Sequence, residues 1–456
     1  MGAHIIDNRM VGGSFGTTEM RQVWEEKNRF QKHLDVEAAL AYAEGEVGLI
    51  PEKAAKAIEA HADADHYDLD AIAARVAELQ HTLMPTIEAL QHQSGDYGEF
   101  VHYGATTQDI VDTGTVLQLK EAFTIVERDT KAVALLLRGL AEKYRNTLMT
   151  GRTHGVQALP ITFGFKCAIW LDELLRHLDR LKEIKARVLT GNISGAVGTY
   201  ASFDGKGPEI EKLALEKLDL NVPNICWQSS RDRFSEYASV VALISGTLGK
   251  IGNEFYLLMH TEIDEIEEPF TAGKVGSSTM PHKRNPSSCE GLASLTQPVL
   301  HAAALIHQSL TMEHERDAMS WRAEWIALPE LNIYLSAQLQ LAQGILKGLT
   351  VRKDNMLKNL KLQHGLILSE KVMFELGKEV GKQTAHHLVY TCAMTAFEQE
   401  RPFEDVLWEE AEIRSRFSKE EIDHWLDPAH YLGSTQTAIN RVLQRADTVL
   451  GRPVQQ

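Results

Sequence analysis

Hydrophobic residues recur at steps of mostly three and four along the central part of this chain. The longest regular run is Tyr237, Val240, Val241, Ile244, Leu248, Ile251, Phe255 and Leu258. This spacing places all of these side chains on one face of a single helix over about six turns. The pattern predicts a helix that packs lengthwise against others in a bundle, and we expect so long a face to serve subunit contact as well.

Proline, which interrupts helices, is missing from three long parts of the chain: residues 86–159, 224–268 and 330–401. These parts leave room for very long helices. Glycines and polar residues cluster at residues 94–107, 150–158, 191–207 and 271–286, where the helical pattern breaks. No alternation of polar and apolar residues is long enough to predict a sheet. The sequence therefore predicts an all-α fold of three helical domains: an N-terminal domain (1–110), a central long-helix bundle (111–355) and a C-terminal domain (356–456).

The composition limits the partners and the compartment. The 456 residues include 47 Lys and Arg against 63 Asp and Glu, and this formal charge of −16 argues against non-specific binding to nucleic acids or anionic membranes. The longest apolar runs are too short to span a bilayer, and residues 1–18 lack the apolar core of a signal peptide. The four cysteines are widely spaced and contain no Cys-x-x-Cys pair, so we interpret them as reduced structural thiols of a cytoplasmic protein.

The segment with the most chemistry is the loop at residues 273–286, Gly-Lys-Val-Gly-Ser-Ser-Thr-Met-Pro-His-Lys-Arg-Asn-Pro. Its glycines permit movement, and its hydroxyl, amide and cationic groups can all donate hydrogen bonds to a carboxylate. From composition alone, a solvated basic loop is the more ordinary interpretation. A Walker phosphate loop is excluded, because the Gly-x-x-x-x-Gly-Lys-Ser/Thr pattern is absent.

Residues 276–286, Gly-Ser-Ser-Thr-Met-Pro-His-Lys-Arg-Asn-Pro, resemble the signature loop of the fumarase/aspartase superfamily. Two further family segments follow the family order: His-Tyr-Gly-Ala-Thr-Thr-Gln-Asp at 102–109 and Gly-Arg-Thr-His-Gly at 151–155. Ser-Gly-Ala-Val-Gly-Thr at 194–199 and His-Glu-Arg-Asp at 314–317 resemble the adenylosuccinate lyase branch. The resemblance covers nearly the whole chain. It implies an all-α homotetramer with a central helical bundle, whose active sites draw residues from three subunits.

The resemblance also implies the reaction, in which a proton is removed from the carbon beside a carboxylate and fumarate is released. Ser277 matches the family's base, and the dianionic aci-carboxylate that forms needs donors aimed at its charge. Lys283 and Asn285 match residues that bind the substrate carboxylate, and His154 matches the general acid that protonates the departing nitrogen. The other assigned site residues are Glu290 as the partner of that histidine, His81 as a second active-site histidine, and Thr106, Thr107, Ser278, His102 and Arg322 as substrate contacts.

Two of these residues also have ordinary structural interpretations. His81 lies in a predicted helical stretch before Pro85, where a lone histidine is more often a surface residue. Glu290 is also typical of an acid that stabilises a helix N-terminus. The chain has nineteen histidines but no His-Glu-x-x-His spacing, and the reaction needs no metal, so we expect neither a metal nor a cofactor.

The substrate is where the chain departs from adenylosuccinate lyases. Those enzymes hold a nucleotide phosphate with an Arg-Tyr pair near the N-terminus and a Ser-Ser-x-x-Arg segment. Here the two places contain Ser-Phe-Gly at 14–16 and Trp-Arg-Ala-Glu-Trp at 321–325. The second pattern, together with Phe-Gly-Thr-Thr-Glu-Met-Arg at 15–21, resembles carboxymuconate cycloisomerases. Those enzymes, however, lack a counterpart of His154.

The sequence therefore predicts a lyase that eliminates an amine from an N-substituted aspartate (a succinyl-amine or an aminopolycarboxylate), without a nucleotide phosphate, to release fumarate. Three alternatives remain: an adenylosuccinate lyase of purine biosynthesis, a 3-carboxy-cis,cis-muconate cycloisomerase, and a non-catalytic binding protein recruited from this fold. The last alternative predicts the loss of catalytic groups, whereas Ser277, Lys283, Asn285 and His154 are all retained.

Overall fold

The computed structural model describes residues 3–270, 279–280 and 282–451. Over these residues the fold is all-α, as predicted, and its helices are α1 (Thr18–Trp24), α2 (Glu26–Glu46), α3 (Glu52–Ala60), α4 (Leu69–Leu79), α5 (Met84–Gln93), α6 (Thr107–Lys143), α7 (Phe163–Val188), α8 (Gly207–Lys217), α9 (Asp232–Leu258), α10 (Ser287–Ser294), α11 (Thr296–Gln308), α12 (Ala318–Gly348), α13 (Lys353–Leu360), α14 (Ser369–Val380), α15 (Lys382–Glu398), α16 (Phe403–Glu409), α17 (Ala411–Arg414), α18 (Lys419–Trp425) and α19 (Thr435–Leu450). No helix in these ranges is both long and apolar enough to cross a membrane.

Four helices are much longer than the rest. Helices α6, α7, α9 and α12 contain 37, 26, 27 and 31 residues. Helices α6 and α9 lie within the proline-free parts of the sequence, but α12 continues through Pro329. A proline has no N–H to donate to the carbonyl four residues earlier, here that of Trp325, so this helix tolerates one missing hydrogen bond.

The apolar face predicted on α9 is the core-facing side of that helix. All eight of its residues, from Tyr237 to Leu258, are buried within the single chain. The expected use of this face for subunit contact is therefore wrong, because the face is already covered inside the subunit. The apolar residues that α9 does expose, Leu243 at 47% and Leu257 at 39%, lie outside the predicted face.

Short strands occur where no sheet was predicted. Strands β1 (Leu148–Thr153) and β2 (Val156–Thr162) form an antiparallel hairpin, and β3 (Ile266–Glu267) pairs with β4 (Thr350–Val351). The hairpin register shifts between Gly151 and Arg152. This irregularity interrupts the alternation of inward and outward side chains, which is the signal that reveals a strand in a sequence.

Contacts along the chain define two compact units, each built from three separate segments. The first unit comprises Met1–Thr130, His177–Gly249 and Ser294–Gln340; the second comprises Lys131–Arg176, Lys250–Ala293 and Leu341–Gln456. Each of the four long helices contributes residues to both units. Within the second unit, helices α14–α18 enclose a core of their own that includes Phe403, Leu407 and Trp425. The division into three consecutive domains stays a prediction.

Candidate active site

The first part of the candidate site lies where α6 begins. Thr107 is the first residue of the helix, and the backbone N–H of Thr106 donates to Oδ2 of Asp109 at 3.0 Å, which caps the helix start. The side chains of both threonines are partly buried. A helix N-terminus favours anions, because its first N–H groups lack acceptors within the helix and the helix dipole is positive there. The position of the two threonines thus suits the binding of a carboxylate.

Asp109 joins this segment to the next one. Its buried carboxylate accepts hydrogen bonds of 2.9–3.0 Å from the backbone N–H groups of Thr106, Ser194 and Gly195 and from the side chains of Asn192 and Gln228. Burial raises the pKa of Asp109 to about 6, although the backbone and side-chain donors oppose the shift. The segments 102–109 and 194–199, which are far apart in sequence, are therefore fixed to each other by one carboxylate.

A cation from a third motif segment completes this arrangement. Arg316 donates from Nη1 to Oγ1 of Thr106 at 2.9 Å and from Nη2 to the carbonyl oxygen of Ala196 at 3.0 Å. Because the Thr106 hydroxyl accepts from the guanidinium, its own hydrogen remains available to a further acceptor. Arg316 belongs to the His-Glu-Arg-Asp segment at 314–317, but the sequence pattern alone assigns it no role.

These groups line a cavity of about 410 Å³ in the first unit. Its lining residues are Gln80, His81, Thr82, Thr106, Thr107, Arg316, Ala318, Trp321, Arg322 and Trp325. The structure therefore brings together four residues that the sequence assigned to the site: His81, Thr106, Thr107 and Arg322. Two arginines and two threonine hydroxyls in one small cavity can donate several hydrogen bonds to a carboxylate.

His81 lies between α4 and α5 and not in a helix, so the helical environment expected for it is wrong. Its Nδ1 accepts from the backbone N–H groups of Leu83 at 3.3 Å and Met84 at 3.0 Å. These bonds require an unprotonated Nδ1, so the proton of a neutral imidazole lies on Nε2. His81 is thus prepared to donate a hydrogen bond from Nε2.

A buried charge network supports the tryptophan side of the cavity. The indole N–H of Trp321 donates to Oδ1 of Asp112 at 2.8 Å, and the Trp321 and Trp325 rings meet edge to face with centroids 4.9 Å apart. Arg231, which is fully buried, forms ion pairs with both Asp112 and Glu324. These contacts hold the side chains of Trp321, Glu324 and Trp325 in place, which the sequence alone did not reveal.

His102 also belongs to the first unit and interacts with a buried acid. Its Nδ1 lies 2.7 Å from Oε1 of Glu37, whose side chain is fully buried. Burial by itself lowers the pKa of His102, but the charge and the hydrogen bond of Glu37 outweigh it, and the net pKa is raised. Within the described structure, His102 does not line the 410 Å³ cavity. Its contact with substrate stays a prediction.

His154 belongs to the second unit and lies at the turn between β1 and β2. It is exposed and adopts a left-handed backbone conformation with φ 54°, followed by Gly155 with φ 77°. The hairpin is anchored by Arg152, which donates to both carboxylate oxygens of Glu265 at 3.1 and 2.6 Å. A histidine on an anchored turn combines an accessible imidazole with a fixed backbone.

The signature loop is described only in part, and Ser277 and Ser278 lie outside the described residues. Lys283 is exposed and Asn285 partly exposed, just before α10. Glu290 is an exposed acid in the first turn of α10. Among the residues that the structure describes, Glu290 forms neither an ion pair nor a hydrogen bond with His154. The carboxylate that accepts from the N–H groups at the start of α10 is that of Glu268, a residue missed from the sequence.

Comparison with known proteins identifies the family. A family model described as "Lyase" matches residues 13–300, and one described as "Adenylosuccinate lyase C-terminus" matches residues 365–442. The chain is a lyase of the fumarase/aspartase superfamily. It is 62% identical over 447 residues to a protein of Dickeya dadantii named N-acetyl-S-(2-succino)cysteine lyase, with 98% of both chains covered. A protein of the same name from Enterococcus italicus is 64% identical over 443 residues, with 97% of both chains covered.

The fold of this lyase is also that of a solved structure in the branch expected from the sequence. The 3-carboxy-cis,cis-muconate lactonizing enzyme from Pseudomonas putida superimposes with a TM-score of 0.92 at 38% identity, covering 97% of this chain and all of that one. The predictions of a lyase, of its superfamily and of its all-α fold are confirmed. In the described ranges of the lyase, no group of three His, Cys, Asp or Glu side chains is arranged to hold a metal ion.

Proposed function

We propose that this lyase cleaves the C–S bond of N-acetyl-S-(2-succino)cysteine to give fumarate and N-acetylcysteine. The observation that carries the proposal is the full-length similarity, at 62% and 64% identity, to two proteins that bear this name. The name places a succinyl group on sulfur. The acid half of this substrate is the same as in the N-substituted aspartates expected from the sequence, so the two hypotheses share their carboxylate-binding residues and differ in the leaving atom.

The proposed reaction is an elimination in which Ser277 removes a proton from the carbon next to the thioether-bearing carbon. The electron pair left behind forms the double bond of fumarate, and the C–S bond breaks with its electrons moving to sulfur. His154 then protonates the departing thiolate. Lys283 and Asn285 bind the carboxylate on which the negative charge accumulates, and Ser278 is assigned as a further substrate contact.

We assign the other carboxylate of the succinyl group to the cavity at the start of α6. There Thr106 and Thr107 offer hydroxyl groups at a helix N-terminus, and Arg316 and Arg322 add two guanidinium groups. Donors fixed before the reaction need not reorganise as charge develops, which is the main way in which such a site stabilises the transition state.

Sulfur as the leaving atom makes the final step easier than nitrogen would. A thiol has a pKa of about 8.5, against about 10.4 for an alkylamine cation, and an amine cannot leave as an anion in water. The thiolate can depart with little help from an acid, whereas the amine must be protonated first. The same residues can therefore serve both leaving groups, but the dependence on His154 should be weaker for the thioether.

A nucleotide substrate fits this chain less well. The segment that would bind the phosphate is occupied by the indoles of Trp321 and Trp325, and Trp321 is largely buried with its N–H already bonded to Asp112. A dianionic phosphate removed from water needs several charge-assisted hydrogen bonds. We therefore do not propose adenylosuccinate as the substrate.

The decisive experiment compares substrates by the ultraviolet absorbance of released fumarate. The panel contains N-acetyl-S-(2-succino)cysteine, a matched N-substituted aspartate and adenylosuccinate. The cycloisomerisation of 3-carboxymuconate releases no fumarate, so it is followed separately by the loss of absorbance of that substrate. We expect the thioether to have the highest kcat/KM by at least about tenfold, a difference of about 1.4 kcal/mol. A higher kcat/KM for the N-substituted aspartate would assign nitrogen as the leaving atom, and efficient turnover of adenylosuccinate would overturn the proposal.

We also propose that the enzyme is a cytoplasmic homotetramer with active sites shared between subunits. Support comes from large apolar side chains exposed on the long helices and on α11, which are candidates for burial between subunits: Ile169, Leu243, Leu257 and Leu300. Mixing the impaired His154→Ala and Ser277→Ala enzymes under conditions of subunit exchange should raise the activity above the sum of the two separate preparations. Sedimentation of a fully active monomer would exclude this assembly. Cell fractionation tests the compartment.

A further inference from the structure

A second cavity, of about 440 Å³, adjoins the one described above. The two share Thr82 and Trp325 as lining residues. Helix α4 lines the second cavity with apolar side chains, and α2 lines it mainly with polar ones. All of its residues belong to the first unit. A substrate held by its succinyl group in the first cavity therefore has a neighbouring space in which to place its other half.

The second cavity contains a guanidinium without a counter-ion. The side chain of Arg29 lines it and lies over the Trp325 ring, 5.3 Å from the ring centroid. Throughout the part of the chain that the structure describes, the Arg29 guanidinium makes neither an ion pair nor a hydrogen bond. Burial lowers the pKa of Arg29. An inward-facing cation left unpaired in a protein of charge −16 is unusual, because desolvating a guanidinium is costly unless an anion compensates it.

The other polar groups around Arg29 do not supply that anion. Glu26 lines the same cavity but forms no ion pair with Arg29 in the described structure. Asp112 and Glu324 line a small adjoining cleft together with Arg29, and both are already paired with Arg231. His33 is buried and neutral, since burial and the nearby Arg29 charge lower its pKa to about 3.

The indole N–H groups near Arg29 point to the same kind of ligand. Trp24 and Trp325 both line the cavity, and their buried Nε1 atoms have no hydrogen-bond partner among the described residues. Indole nitrogens and guanidinium groups only donate hydrogen bonds. These three donors, Arg29 and the indoles of Trp24 and Trp325, therefore favour a ligand that accepts hydrogen bonds and carries a negative charge opposite Arg29.

We propose that this second cavity holds the departing half of the substrate and that Arg29 binds its carboxylate. The inference rests on the proposed function, because N-acetylcysteine is the leaving group that carries a carboxylate a few bonds from sulfur. A planar guanidinium matches a carboxylate with two parallel hydrogen bonds. Arg29 would thus determine which thiol adduct is accepted, while the cavity at α6 recognises the succinyl group common to all of them.

The test compares two substrates that differ only in this carboxylate: N-acetyl-S-(2-succino)cysteine and the succinyl adduct of N-acetylcysteamine, which lacks it. In the wild-type enzyme, we expect kcat/KM to favour the carboxylate-bearing adduct by about ten- to a hundredfold. In Arg29→Gln this preference should fall to about threefold or less, and Arg29→Lys should retain part of it because the charge remains. The ratio is measured on one preparation, so a partly inactive variant does not distort it.

Lys27→Gln is the matched control, since Lys27 lies two residues away on α2, is exposed and pairs with Asp65. It removes the same charge and should leave the preference unchanged. If Arg29→Gln lowers kcat/KM for both adducts equally, Arg29 only supports Trp325 and the inference is wrong while the proposed function stands. If the wild-type enzyme releases no fumarate from either adduct, the proposed function itself fails, and this inference fails with it.

Discussion

The buried ion pairs that Arg231 forms with Asp112 and Glu324 lead to the most specific prediction about stability. Arg231 donates to both carboxylate oxygens of Asp112, at 2.7 and 3.0 Å, and also to Glu324. Replacing it in Arg231→Met keeps an unbranched apolar chain in the same space but leaves two buried carboxylates without their cation. Removing one partner of a buried pair typically destabilises a protein by about 3–5 kcal/mol, because the remaining charge is uncompensated. We expect Arg231→Met to lower the free energy of unfolding by an amount in this range at neutral pH.

The pH dependence of this loss follows from the sign of the pKa shift. Burial raises the pKa of Glu324 even in the wild-type protein, while Arg231 opposes the rise. Without Arg231, the pKa of Glu324 in the folded state rises further above its value in the unfolded chain. The folded variant then binds more protons than the unfolded one, so its stability falls as pH increases through that window. The difference from wild type should therefore be larger at about pH 8 than at about pH 5.5.

Urea unfolding at both pH values measures these free energies. Arg187→Met is the control, because Arg187 forms an exposed bidentate pair with Glu236 in the same unit. Exposed pairs contribute about 1 kcal/mol or less. The double variant Arg231→Met/Glu324→Gln removes one of the two buried carboxylate charges that lack a cation. It should therefore recover part of the lost free energy of unfolding. A loss below about 1 kcal/mol for Arg231→Met, or one that shrinks as pH rises, would refute the reasoning.

Three further predictions concern the reaction. Ser277→Ala should lower kcat by at least about a thousandfold with a modest change in KM, and a variant that keeps more than about a tenth of wild-type kcat would remove the serine from the role of base. Arg316→Met should lower kcat/KM by about ten- to a hundredfold, through loss of a charge-assisted hydrogen bond at the cavity; a change under about threefold would show that the arginine is only structural. Glu37→Gln should lower the pKa of His102, because it removes the negative charge that raises this pKa. The free energy of unfolding that protonated His102 contributes should then be lost at a lower pH than in wild type, and an unchanged pH profile of unfolding would contradict this.

Local regularities in the sequence determined the class of fold and the candidate chemistry. The three- and four-residue spacing from Tyr237 to Leu258 and the proline-free stretches predicted long helices, because helix periodicity and helix interruption depend on residues close together in the chain. The motif segments predicted a superfamily lyase in the same way. Both conclusions required only short-range patterns, and the fold and the family match them.

Only the tertiary structure decided which of these segments meet. Asp109 binds residues about 85 positions away, and Arg316 reaches Thr106 from 210 positions away. No local pattern contains such pairings, since they arise when long helices fold back and bring distant loops together. The same reason explains why the sequence missed the ion pairs of Arg231 and the unpaired Arg29. The hairpin that carries His154 is local and was missed because its register shift interrupts the alternation of side chains. The charge of a residue can be read from the sequence, but whether that charge is buried and what compensates it depends on packing.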